Sequence, residues 1–192
     1  MPGRNFKTLF DIAADNYGFV TLDDARRVGI RPQRLVEMAA RGALRREGFG
    51  VYRVEPFPVH EFDTYRKATL WPHGADGILS HETALELYGL SDVNPAKIHI
   101  TVPKHYRVRH RKLPAPYLLH HEDLRGNEVT RFEGLPIVTA ATAIRQCLKE
   151  GVRRDLLRQA IGEAKANGTV TQAEHTQLLS ELEADPAVLA TA

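Results

Sequence analysis

Four polar side chains suited to reading DNA bases recur at helical spacing in IRPQRLVEMAARG, residues 30–42. They are Gln33, Arg34, Glu37 and Arg41. At about 100° per residue they fall within an arc of about 100° on one side of a helix. The opposite side is apolar and comprises Leu35, Met38 and Ala39, with Val36 at its edge. Arginine pairs with guanine, glutamine with adenine, and glutamate accepts a hydrogen bond from cytosine. The polar face is therefore a candidate for contact with the major groove.

A basic hairpin is predicted immediately after this helix, in LRREGFGVYRV, residues 44–54. Two short strand-like arms flank a Gly-Phe-Gly tip, and glycines at 48 and 50 can take the positive φ angles of a tight turn. The arms carry three arginines, Arg45, Arg46 and Arg53. Because such side chains bind phosphate oxygens, we expect all three to lie on a DNA backbone.

The elements that precede this helix fit the same interpretation. Residues 5–15 carry an apolar helical stripe. Thr21 and Asp24 have the spacing of a capping box for a second, short helix that ends at Gly29, and Pro32 suits the first position of the third. Helix, short helix, turn, polar-faced helix and basic hairpin is the order of a winged helix-turn-helix. The alternative is a small helical domain whose hairpin binds protein.

The charge distribution also singles out the N-terminal third. Residues 1–54 carry ten Lys or Arg against six Asp or Glu, a net charge of +4, although the whole chain has a net charge of only +2. Residues 113–192 carry eight against eleven, a net charge of −3. A local basic surface on a nearly neutral protein favours an anionic partner for the first domain.

Pro56 and Pro58 mark the best domain boundary, so the sequence predicts domains at residues 1–54 and 59–192. In the second domain, a helix is predicted from His60 to Trp71. It is followed by a strand that runs into a helix (ILSHETALELYGL) and by two further strands (KIHITVP and PYLLHHEDL). The sequence then predicts a hairpin with its turn at Glu133-Gly134 and C-terminal helices from Ala140. The expected fold class is α+β, a winged helix-turn-helix followed by a mixed α/β domain that ends in helices.

The sequence carries no complete catalytic or metal-binding motif. HETAL at 81–85 has leucine where a zinc protease has its second histidine, and His120 and His121 are adjacent, so strand geometry points them to opposite faces. The single cysteine, Cys147, falls in an apolar helical pattern and is expected to be buried. We therefore expect no enzyme activity, no cofactor and no metal.

No apolar run approaches the length of a membrane span, and the N-terminus lacks the pattern of a secretory signal. One cysteine also permits no internal disulfide, which fits a reducing compartment. The expected location is the cytoplasm, with no membrane partner.

The most basic run of the second domain is KHYRVRHRK, residues 104–112. Its cations are Lys104, Arg107, Arg109, Arg111 and Lys112. The arginines alternate, so a strand would place all three on one side, where they could bind phosphate, tRNA or an acidic protein surface. The alternative is a solvated hairpin tip.

Four stretches together resemble the AbiEi family of type IV toxin–antitoxin antitoxins. They are VTLDDARRVGIRPQRLVEMAARGALRREGFGVYRV, LSHETALELYGLS, IHITVP and FEGLPIVTAATAI, and they occur in the family's order across most of residues 20–144. The resemblance implies an N-terminal winged helix that represses its own operon by binding repeats in promoter DNA. It also implies a C-terminal domain that counteracts a nucleotidyltransferase toxin, directly or functionally, usually without an obligatory stable complex. The basic run would be the first antitoxin surface to test.

Two alternatives to an antitoxin stay open. The first is a plain winged-helix repressor whose second domain senses a ligand or dimerises. The second is an enzyme that modifies its toxin, for which the residues supply no motif.

Overall fold

A computed structural model of the chain describes residues 3–55, 57–108 and 112–184. The chain divides into two compact units, Met1–Gly77 and Ile78–Ala192, and each contains helices around its own sheet. The expected α+β class is confirmed. No helix among the described residues combines the length and the apolar character needed to cross a membrane.

The first unit has the element order of a winged helix-turn-helix. Its elements are α1 (Arg4–Ala14), β1 (Phe19–Thr21), α2 (Leu22–Arg27), α3 (Pro32–Ala40), β2 (Leu44–Gly48), β3 (Val51–Val54) and α4 (Asp63–Leu70). The three strands form an antiparallel sheet in the order β1–β3–β2, and the β2–β3 hairpin is the wing. Strand β1 is only three residues long, and its pairing with β3 supplies the hydrogen bonds that so short a strand needs.

Local signals fix where α2 and α3 begin. Thr21 and Asp24 form the predicted capping box, in which Asp24 N donates to Thr21 Oγ1 at 3.1 Å and Thr21 N donates to Asp24 Oδ2 at 2.9 Å. Pro32 occupies the first turn of α3. Leu35 packs with Leu9, Val20 and other buried residues of the unit's core, so the opposite, polar side of α3 faces solvent.

Helix α4 is grouped with the first unit, whereas the sequence predicted a boundary at Pro56 and Pro58. Lys67 Nζ on α4 donates to Glu47 Oε2 at 2.9 Å, and Arg53 of β3 pairs with Asp63 at 2.6 Å. These ion pairs attach α4 to the wing hairpin. Pro58 therefore lies in a connection inside the first unit, and Pro56 lies outside the described residues.

The second unit is built on a mixed five-stranded sheet. Its elements are β4 (Ile78–Leu79), α5 (His81–Leu87), β5 (Ile98–Val102), β6 (Tyr117–His121), β7 (Val129–Phe132), β8 (Leu135–Val138), α6 (Ala140–Lys149), α7 (Arg154–Ala166) and α8 (Gln172–Ala184). The strand order is β6–β5–β4–β8–β7, with β5–β6 and β4–β8 parallel. The predicted hairpin turn is confirmed, since Glu133 and Gly134 have φ angles of 48° and 77° between β7 and β8.

Strand β5 is buried on both faces. Ile100 and Val102 face one side of the sheet, and His99 and Thr101, only 8% and 0% exposed, face the other. Buried polar groups need hydrogen-bond partners. His99 N donates to Thr83 Oγ1 at 2.9 Å, and Thr101 Oγ1 donates to Ser80 Oγ at 2.8 Å. A polar cluster therefore lies against the sheet of the second unit.

Cys147 on α6 is fully buried, as the apolar pattern predicted. Burial raises the pKa of its thiol, and the thiolate is the reactive form. We expect Ellman's reagent to react with native Cys147 at least about 100-fold more slowly than with the unfolded chain. Stopped-flow absorbance with and without denaturant measures both rates. Equal rates in the two conditions would show an accessible thiol.

Candidate nucleic-acid interface

The polar face of α3 is exposed as the sequence predicted. Gln33, Arg34 and Arg41 are exposed and Glu37 is half-buried. Arg41 directly follows the last helical residue and forms the C-cap of α3. The recognition helix of a winged helix-turn-helix presents such side chains to the edges of base pairs. The four residues are thus brought together on one accessible surface.

Arg34 and Glu37 form an ion pair on this surface. Arg34 Nη1 donates to Glu37 Oε2 at 2.5 Å, across one turn of the helix. The two side chains are 44% and 38% exposed, so the pair contributes at most about 1 kcal/mol to stability. It nevertheless restricts the position of the guanidinium, and any ligand that binds Arg34 must share or replace this contact.

Arg4 belongs to the same surface, although its position in the linear sequence does not connect it with α3. A cleft of about 610 Å³ is lined by Arg4, Arg34 and Arg41, together with Asn5, Phe6 and Met38. Three guanidinium groups around one cleft create a positive potential that favours phosphate. Only the packing of α1 beside α3 reveals this neighbour, because thirty residues separate Arg4 from Arg34.

Val36 is also more exposed than expected, since the sequence placed it at the edge of the apolar side of α3. It is 49% exposed on α3. An apolar side chain on a recognition helix can contact the methyl group of thymine. Val36 is therefore an additional candidate for base contact.

The wing arginines do not share one face of the sheet. Arg46 lies opposite Tyr52 in the register of β2 and β3, and Tyr52 packs into the core under the helices. Arg45 lies opposite Arg53 and therefore on the other face. Arg45 is bound there by Glu47 at 2.6 Å and approaches Glu55 at 3.8 Å. Arg46 is exposed and is the wing arginine on the face that carries α3.

Arg53 does not fit the predicted role of a phosphate contact. It is only 4% exposed, because β3 is the central strand of the sheet. Its guanidinium donates to Asp63 Oδ2 at 2.6 Å and to the carbonyl oxygen of Pro58 at 2.7 Å, and it lies 5.0 Å from the centroid of the Phe19 ring. Arg53 is a buried structural residue that holds α4 and the preceding loop on the sheet.

The tip of the wing is held from one side by His73. The ring of His73 contacts the ring of Phe49 edge-on, at 5.2 Å between centroids, and its Nε2 lies at hydrogen-bond distance from the Phe49 carbonyl oxygen. Gly50 has a φ of +69°, and a Cβ there would lie 2.3 Å from the His73 ring. Of the two tip glycines, Gly50 is thus the one that the turn requires, while Gly48 does not adopt a positive φ.

The basic run of the second unit is only partly described. Arg109 and Arg111 lie outside the described residues. Lys104, Arg107 and Lys112 are exposed, and no strand is assigned between Lys104 and Val108. Arg107 Nη1 donates to the carbonyl oxygens of Lys104 and Tyr106 at 2.9 and 3.0 Å, so this arginine folds onto its own loop. The described residues thus give no alternating strand from which a common face would follow.

Comparison with known proteins bears on the first unit. No curated protein sequence matches the chain. In structure, the RV2827C protein from Mycobacterium tuberculosis is similar with a TM-score of 0.44 and 15% identity, over 94% of this chain and 82% of that chain. Residues 7–54, from α1 to the end of β3, match the family model described as "Transcriptional regulator, AbiEi antitoxin". The resemblance to AbiEi antitoxins is thereby confirmed over residues 7–54, which are similar to the AbiEi antitoxin transcriptional regulators.

Proposed function

We propose that this protein is a cytoplasmic type IV antitoxin that represses its own operon by binding promoter repeats and counteracts a nucleotidyltransferase toxin without catalysis. The observation that supports DNA binding is the exposed face of α3, on which the side chains of Gln33, Arg34 and Arg41 are accessible to solvent. The family match over residues 7–54 supports the regulatory assignment. The antitoxin half rests on the family alone and is assigned to the second unit.

In the proposed complex, α3 lies in the major groove with Gln33, Arg34 and Val36 at base edges. Arg4 and Arg41 flank it across the cleft, and Arg46 reaches a phosphate from the wing. Arg45 and Arg53 take no part in this surface, because both are paired with carboxylates on the opposite face of the sheet.

The assignment of wing contacts predicts a difference between two neighbouring arginines. Replacing Arg46 with alanine should weaken binding to all duplexes alike and reduce the slope of log K against log salt by about one unit, because one phosphate contact is lost. Arg45→Ala is the matched control and should change the slope by less than half as much. Fluorescence anisotropy with promoter and scrambled duplexes over a range of salt concentrations measures both slopes. Equal slopes for the two variants would contradict the placement of Arg46.

The antitoxin half is tested by growth rescue. A nucleotidyltransferase toxin, sought among the genes adjacent to this one, is co-expressed with the full chain, or with a full-length Arg34→Ala/Arg41→Ala variant. Rescue by both chains would support a second unit that acts independently of DNA binding. Failure of the wild-type chain to rescue growth would favour the plain repressor, whose second unit senses a ligand or dimerises.

Absence of catalysis is tested separately. Toxin incubated with a stoichiometric amount of this chain is expected to keep its mass, as read by intact-protein mass spectrometry. A covalent change on the toxin in a single turnover would instead establish an enzyme.

A further inference from the structure

Three histidines far apart in the sequence meet inside the second unit. His81 begins α5, His99 lies on β5 and His120 lies on β6. Each offers a ring nitrogen, and these atoms all lie within 4.8 Å of one another. The parallel pairing of β5 and β6 sets Thr101 beside His120, which brings His99 and His120 onto neighbouring strands at contact distance. The linear spacing matches no metal motif, which is why the sequence predicted no site here.

The separation of the nitrogens suits a single small ion. Nδ1 of His99 and Nε2 of His120 are 3.2 Å apart. Two nitrogens each bound at about 2.0–2.1 Å to one tetrahedral zinc ion are about 3.3–3.4 Å apart. The rings of His81 and His120 stack with centroids 3.6 Å apart, and a tilt of these rings would direct one nitrogen of each toward a shared ion.

The other nitrogen of each ring faces a group that can orient it. Ser80 Oγ lies 3.0 Å from Nδ1 of His81, Glu82 Oε2 lies 3.6 Å from Nε2 of His99, and Glu150 Oε1 lies 3.8 Å from Nδ1 of His120. Ser80 is at hydrogen-bond distance, and the two carboxylates are within ion-pair distance. Metal-bound histidines use their second nitrogen toward such groups, because a hydrogen-bonded partner fixes the tautomer and raises the basicity of the ligand.

A cavity beside the cluster leaves room for a further ligand. Its volume is about 490 Å³, and His81, His99, Lys97, Glu82 and Glu150 are among the residues that line it. Three protein ligands with a fourth position open to solvent is the arrangement of zinc sites that bind an exchangeable ligand. The bend at His81, whose φ is +53°, places its ring at the wall of this cavity.

We propose that His81, His99 and His120 form a binding site for one divalent transition-metal ion of the zinc class, with its fourth position open to the adjacent cavity. This site lies within the second unit. It gives that unit a ligand of defined chemistry, namely the metal ion itself or a small molecule bound to the metal.

The test uses the full chain, stripped of metal with a chelator and titrated with Zn²⁺ against a chromophoric competitor. We expect one Zn²⁺ per chain, and we expect Co²⁺ to give the visible absorption of a tetrahedral nitrogen-ligated site. A stoichiometry far below one, with no such absorption, would overturn the proposal and leave a hydrogen-bonded histidine cluster.

Variants distinguish the cluster from adventitious histidine binding. His120→Ala should lower the Zn²⁺ affinity by about 100-fold or more, and His121→Ala, an exposed neighbour on the same strand, is the matched control and should have no effect. Glu82→Gln perturbs the core less and should weaken binding by about 10–100-fold through its contact with His99. Equal affinities for the wild-type chain, His120→Ala and Glu82→Gln would overturn the assignment.

Discussion

Replacing Arg53 with leucine is expected to lower the free energy of unfolding of the first unit by about 3–5 kcal/mol. The arginine is 4% exposed, and its partner Asp63 has a side chain that is only 14% exposed. Removing the guanidinium leaves the carboxylate of Asp63 buried without its cation. Loss of one partner of a buried ion pair destabilises a protein more than replacement of both partners by apolar residues. The carbonyl oxygen of Pro58 loses a hydrogen bond at the same time.

The measurement is urea unfolding followed by tryptophan fluorescence. Trp71 is the single tryptophan of the chain and lies in the first unit, so its signal reports on that unit. Arg46→Leu is the control, since an exposed charge on the neighbouring strand should change stability by less than about 0.5 kcal/mol. An Arg53→Leu variant as stable as Arg46→Leu would show that the pair with Asp63 contributes little.

A double variant separates the two causes of the loss. In Arg53→Leu/Asp63→Leu no buried charge remains, so most of the stability lost in the single variant should return. Restored stability with unchanged salt dependence of DNA binding would place Arg53 in the framework of the wing and outside the DNA interface.

Elements that depend on neighbouring residues followed directly from the sequence. The capping box of Thr21 and Asp24 and the turn at Glu133-Gly134 both depend on residues at most three apart. The order of the helices and strands in residues 5–54 predicted the winged helix. The helical spacing of polar and apolar residues in α3 predicted which of its sides is exposed.

Features that depend on distant pairing did not follow. Arg53 reads as one more basic residue of the hairpin, and only the central position of β3 and the docking of α4 bury it. Arg4 joins Arg34 through packing of α1 beside α3, and the three clustered histidines come from α5, β5 and β6. In each case the tertiary fold determines which residue is contacted, so the contact cannot be predicted from the spacing of residues in the sequence.

Replacing Arg34 with alanine is expected to flatten sequence preference while largely preserving the affinity for arbitrary DNA. A good bidentate contact between arginine and a base contributes about 1–3 kcal/mol of discrimination. Arg34 is exposed near the middle of α3 and is already oriented by Glu37, which reduces the entropy lost when it binds a base. The loss should therefore appear at one or two base pairs of each promoter repeat.

This discrimination is measured by dissociation constants at one salt concentration. They are determined for the promoter fragment and for a panel of its single-base variants. Arg26→Ala is the matched control, because Arg26 on α2 makes the same kind of pair with Asp23, at 2.7 Å and across one helical turn, and does not line the cleft that Arg34 and Arg41 line. We expect Arg26→Ala to retain the full spread of affinities across the panel, and Arg34→Ala to narrow it. If Arg34→Ala instead weakened every duplex by the same factor, Arg34 would be a phosphate contact, and base reading would have to come from Gln33, Val36 and Arg41.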